Sequence, residues 1–147
     1  MSPPNVPNAD VLVVDKMAVY TCRAGSVSTG GSVYNSTCGV DGAWTPTNLS
    51  CTDATSCYLT RNGVRLYQGT LSTTNSGLTC QNWTSQSPNR HRYSDVHFEN
   101  LGETAALAVN YCRDPSGRGV RPSGRLWCYN GASRRPRWDW CDDVPKC

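Results

Sequence analysis

Three groups of residues in this chain have the types and spacing for chemistry. Nine cysteines stand at Cys22, Cys38, Cys51, Cys57, Cys80, Cys112, Cys128, Cys141 and Cys147, and thiols in such numbers serve as cross-links or metal ligands. His91 and His97 are the two imidazoles. Seven arginines (Arg113, Arg118, Arg121, Arg125, Arg134, Arg135 and Arg137) share residues 113–137 with one acid, Asp114. Trp127, Tyr129 and Trp138 lie among them. A guanidinium is a planar fork suited to sulfate and carboxylate, and flat rings stack on a sugar or on another guanidinium. With the cysteines committed to disulfides, no zinc site is expected, and His91 is expected to fill a structural hydrogen-bonding position. No Gly-x-Ser-x-Gly elbow surrounds a serine, so that nucleophile leaves no trace.

The elements that position these groups are built from little aliphatic material. The 147 residues allow one ordinary domain or two small ones, and hold one Phe and two Met against five Trp, seven Tyr, thirteen Gly and nine Pro. Such a mixture cannot bury a large aliphatic core, so covalent staples must supply stability. Disulfides persist in oxidising compartments, which predicts an extracellular protein. No apolar stretch approaches the ~18–20 residues of a membrane span. The cysteine and tryptophan content argues against disorder, and the collagen and coiled-coil repeats are lacking. Met1-Ser2-Pro3-Pro4 has neither the charged nor the apolar region of a signal peptide, so a mature form or an excised piece is expected. Nine is odd, so at least one thiol lacks an intrachain partner.

Two segments differ in character. Residues 1–56 hold two basic and four acidic residues, and residues 57–147 hold twelve basic and seven acidic ones. The sign change, with the polar stretch Thr52-Asp53-Ala54-Thr55-Ser56 between, predicts a boundary near residue 54. Val11-Leu12-Val13-Val14 and Met17-Ala18-Val19-Tyr20 read as strands, separated by the turn signals Gly30-Gly31, Asp41-Gly42 and Thr45-Pro46. Only Leu101 to Val109 hints at a helical period. The expected fold class is small and disulfide-rich, mainly β and irregular loop.

From Cys57 onward the chain resembles the kringle family. The resemblance rests on Cys57-Tyr58, Asn62-Gly63, Tyr67-Gln68-Gly69-Thr70, Cys80-Gln81-Asn82-Trp83, Asn110-Tyr111-Cys112-Arg113-Asp114-Pro115, Trp127-Cys128-Tyr129 and Arg137-Trp138-Asp139-Trp140-Cys141. It implies a kringle over residues 57–147, with bridges Cys57–Cys147, Cys80–Cys128 and Cys112–Cys141. Bridges worth ~2–5 kcal/mol each would hold so small a module together. Residues 1–52 resemble a sushi (complement control protein) module through Tyr20-Thr21-Cys22, Cys38, Gly42-Ala43-Trp44 and Cys51, with 53–56 as a short linker. That resemblance implies a Cys22–Cys51 bridge and leaves Cys38 without its partner, whose place falls before Ser2. The expectations for Cys38 are a chain that starts after that cysteine or an interchain disulfide.

Kringles are non-catalytic binding modules, and some hold lysine side chains in a shallow aromatic trough. The resemblance places Trp127, Tyr129 and Trp138 on its walls and Arg137 at its cationic end, while Trp83 and Trp140 are expected in the core. Where two carboxylates would meet the ammonium, this chain has Ser116 and Arg118. A like charge there repels lysine, so lysine binding is expected to be lost. The loop between Cys112 and Cys128 is longer than the family's usual one, and with Arg134-Arg135-Pro136-Arg137 it is expected to border the trough. The predicted partner is a sulfated glycan or an acidic extracellular protein surface, bound through Arg118, Arg121, Arg125, Arg134, Arg135 and Arg137. No enzyme activity, cofactor, metal, nucleic acid or membrane span is implied. The alternatives are a building block of an extracellular fibre or matrix, self-assembled through Cys38 or module packing, and a regulatory fragment of a kringle-containing protease or growth factor. Asn35, Asn48 and Asn82 open N-glycosylation sequons.

Overall fold

The structure, a computed structural model, describes residues 2–28, 33–47 and 49–147. The Gly30-Gly31 turn signal and the Asn48 sequon lie outside the described residues. The chain divides into two compact units, 1–53 and 54–147.

The first unit is built from β1 (Ala9–Val14), β2 (Met17–Cys22), β3 (Ser26–Val27), β4 (Val33–Thr37) and β5 (Thr52–Asp53). The β-branched runs of the sequence form β1 and β2, which pair antiparallel from Ala9↔Cys22 to Val14↔Met17. β4 adds on the far side of β2, giving the order β1-β2-β4, while β3 pairs with β5. Alternation along β2 turns Ala18 and Tyr20 inward. They pack with Val6, Ala9, Leu49 and Cys51, flanked by Cys22, Tyr34 and Trp44. The Cys22–Cys51 disulfide closes this core. Cys38 is the free cysteine, and its N–H donates to the carbonyl of Lys16. β1 is an edge strand, and Val11 to Val14 stand exposed along it.

The second unit opens with a hairpin of β6 (Leu59–Arg61) and β7 (Val64–Leu66). Asn62 and Gly63 turn it with φ of 53° and 80°, the conformation for which an Asn-Gly pair is suited. Irregular chain follows, with 3-10 turns at Asp95–His97 and Glu99–Leu101. The helical hint after Leu101 amounts to one turn, α1 (Ala105–Ala108), whose Thr104 side chain caps Leu107 N–H. Last come β8 (Trp127–Tyr129) and β9 (Trp138–Trp140), an antiparallel ribbon. The disulfides join Cys57–Cys147, Cys80–Cys128 and Cys112–Cys141. The sulfurs of Cys80, Cys112, Cys128 and Cys141 lie within 4.8 Å of one another, a grouping that the two disulfides produce by packing together.

Aromatic rings replace the missing aliphatics. Trp83 is 1% exposed, donates its indole N–H to the Tyr111 carbonyl at 2.8 Å, and meets Phe98 and Trp127 edge-to-face at 5.3 and 5.2 Å. Leu66, Leu101 and Leu126 complete this core. Arg113, 2% exposed, is buried in it as an ion pair with Glu103, and also donates to the carbonyls of Gly69 and Cys112.

Candidate functional site

The β8–β9 ribbon carries the site. Register pairs Trp127 with Trp140 and Tyr129 with Trp138, so strand alternation puts all four rings on one face and Cys128 and Asp139 on the other. Cys128 is thereby available to its disulfide, and Asp139 accepts from the Ser76 hydroxyl at 2.7 Å. The rings meet edge-to-face, Trp138 with Trp140 at 4.8 Å and Trp127 with Tyr129 at 5.1 Å. With Tyr93, Pro115, Arg121 and Ser123 they line a cavity of about 230 Å³. Trp127 is 8% exposed and Trp138 42%, so the former is floor and the latter a projecting wall.

Two assignments made from sequence are corrected here. Trp140, expected in the core, lines the trough; its place two residues after Trp138 on the same strand is the signal that could have shown it. Trp127, expected at the surface, is buried. Tyr93 went unnoticed, although it follows His91 by the same spacing of two. His91 stacks on Tyr129 at 5.3 Å with an interplanar angle of 18°.

The arginines separate into distinct groups. Arg121 is exposed, lines the trough, and makes no ion pair or hydrogen bond through its guanidinium among the described residues. Arg125 is spoken for: it pairs with Asp142 and lies 4.4 Å over the Trp140 ring. Arg137 donates to the Arg90 carbonyl and to Asn89 Oδ1, and lies 5.5 Å from the Tyr129 ring centre. Arg134 and Arg135 are exposed. Arg118 does not border the trough. It stands at the tip of a tight turn closed by reciprocal backbone bonds between Gly117 and Val120, with φ of 101°, 45° and 83° at Gly117, Arg118 and Gly119. Ser116 is buried and lines a different cavity, beside Arg61 and Asn100. Among the described residues, therefore, no carboxylate lines the aromatic trough.

Asp114 is no substitute for one. It is fully buried and accepts from the N–H groups of Arg65, Ser123 and Gly124 and from the Ser123 hydroxyl, at 2.9–3.2 Å. Burial pushes its carboxyl above the usual range, while these donors act in the opposite sense. Burial likewise raises the phenols of Tyr93 and Tyr129, keeping them protonated.

His91 accepts from Tyr93 N–H at Nδ1 and bonds the Ser85 carbonyl through Nε2, which fixes the neutral tautomer with its proton on Nε2. Burial is the largest influence holding its pKa below the ordinary imidazole value, and the charge of Arg137 acts in the same sense. The unfolded chain thus takes up this proton more readily than the folded one. Stability is expected to hold from about pH 8 to 7 and to fall as the pH drops below about 6.5. Melting curves across this range check it, and His91→Gln should flatten the decline.

Of the sequon asparagines, Asn35 lies on β4 and is exposed, and Asn82 is exposed beside the buried Trp83.

The second unit is a disulfide-stapled module whose β-ribbon carries an aromatic trough. Comparison with known proteins is specific. The kringle domain family matches residues 57–147. Plasminogen of Capra hircus is 38% identical over 95 residues, covering 65% of this chain and 67% of that protein. The chain belongs to the kringle family, whose modules are non-catalytic and bind extracellular proteins. Among the described residues, no helix is long and apolar enough to cross a membrane.

Proposed function

We propose that the chain is an extracellular recognition module whose kringle trough and arginine rim hold an anionic partner, a sulfated glycan or an acidic protein surface, and no longer bind free lysine. One observation carries this reading: an unpaired cation, Arg121, lines an aromatic trough that has no carboxylate among its described lining residues. Arg121 at the trough, together with Arg118, Arg134 and Arg135 outside its lining, supplies exposed charge without ion pairs among the described residues. Arg125 contributes little to it because Asp142 neutralises it. Residues 1–52 are read as a sushi-like module joined by 53–56 to the kringle, a reading supported by the antiparallel sheet and the Cys22–Cys51 bridge.

Retention of the folded chain on immobilised heparin tests the proposal. Elution is expected above physiological ionic strength, about 0.15 M. The quadruple variant Arg118→Ala, Arg121→Ala, Arg134→Ala, Arg135→Ala should elute well below it. Elution of both proteins at the same low salt overturns the reading.

A further inference from the structure

We propose that the trough takes a flat aromatic ring bearing an oxyanion, namely a sulfated tyrosine side chain on a secreted protein partner. This rests on the anion-binding reading above and narrows it to one chemical class.

Size comes first. A cavity of about 230 Å³ is smaller than the ~300–1,000 Å³ of drug-sized sites, and takes in one side chain, or one sugar unit of a longer chain, at a time. Its walls are Tyr93, Trp127, Tyr129, Trp138 and Trp140, already packed edge-to-face. Another ring extends that arrangement, whereas a carboxylate on a short alkyl stem leaves the rings uncovered.

Charge decides between cationic and anionic ligands. An aromatic cage by itself attracts ammonium groups. Here two of the rings already hold a guanidinium, Arg125 over Trp140 and Arg137 beside Tyr129, and Arg121 lines the same cavity. The ring faces are thus partly occupied, an incoming ammonium meets the charges of Arg121 and Arg137, and an anion meets an unpaired planar fork. The phenol hydroxyls of Tyr93 and Tyr129 make no hydrogen bond among the described residues, which leaves two further donors on the wall. Arg118, Arg134 and Arg135 lie outside the cavity lining, where they can meet acidic residues flanking the modified tyrosine. Sulfate and phosphate monoesters of tyrosine share the required chemistry. A disulfide-rich secreted chain favours the sulfate.

The full folded chain is titrated, following tryptophan fluorescence, with one uncharged peptide sequence in four forms: tyrosine, O-sulfotyrosine, phosphotyrosine and glutamate at the central position. The aryl esters are expected to bind at least about tenfold tighter than the tyrosine and glutamate forms. Whichever ester binds more tightly identifies the source. Arg121→Ala, at an exposed unpaired side chain, should keep the melting temperature and lose that margin. Lys146→Ala, at an exposed cation outside the cavity lining, should stay within about twofold of the parent. Equal affinity for the ester and tyrosine forms, or an unaltered margin in Arg121→Ala, overturns the proposal. Heparin retention without ester binding defeats it while the anionic reading stands. Loss of both defeats the two together.

Discussion

Arg113→Ala is expected to cost the kringle about 3–5 kcal/mol of stability, read from denaturant or thermal unfolding. Its guanidinium is paired with Glu103, whose side chain is 7% exposed, and donates to the Gly69 and Cys112 carbonyls at 2.9 and 3.0 Å. It also lies between the rings of Tyr67 and Tyr111, 5.4 and 5.5 Å from their centres. Removal strands the Glu103 carboxylate and two carbonyls in the interior, and the loss of those partners outweighs the arginine's own desolvation. Arg113→Lys restores the charge but not the fork, and should recover only part of the loss. The damage extends to the trough, because the backbone of Arg113 exchanges hydrogen bonds with that of Trp127, the trough floor. A cost below about 1 kcal/mol would show that the pair behaves like a solvated surface bridge.

Asp114→Ala is expected to cost about 2–4 kcal/mol and, separately, to weaken anion binding by about tenfold or more. Each buried donor left without a partner costs ~1–3 kcal/mol, and the carboxylate serves the N–H groups of Arg65, Ser123 and Gly124. Ser123 and Gly124 end the loop that carries Arg121. Without Asp114 that loop has lost its tie to β7, and Arg121 is no longer held against the rings. Affinity should therefore fall even at temperatures where the variant is fully folded. A variant with lowered stability and unaltered affinity would show that the loop is held by other contacts.

The framework of the kringle could be read before the fold was known because its signals are local. The Asn62-Gly63 turn and the cysteine neighbourhoods each depend on a few adjacent residues. The ring face of the ribbon is also partly legible: Trp127/Tyr129 and Trp138/Trp140 alternate with period two, yet the family resemblance puts Trp140 in the core, and sequence alone, which does not say which strands pair, offers nothing to set against it. The arginines were least legible. Partners such as Asp142 for Arg125 and Glu103 for Arg113 are chosen in three dimensions, at separations with no helical or strand meaning. Arg118 and Arg121 differ by three residues, but positive φ at Gly117, Arg118 and Gly119 sends the first to a loop tip and leaves the second beside the rings.

The central claim is that the trough has the opposite preference to a lysine-binding kringle. The most direct test follows the indole N–H resonances of Trp127, Trp138 and Trp140 in the full chain at about 0.15 M salt. One titration adds 6-aminohexanoate, a lysine analogue, and the other a heparin-derived oligosaccharide. The account predicts saturable shifts with the sulfated ligand and none with the lysine analogue. Saturable shifts with 6-aminohexanoate and none with the sulfated ligand would contradict it.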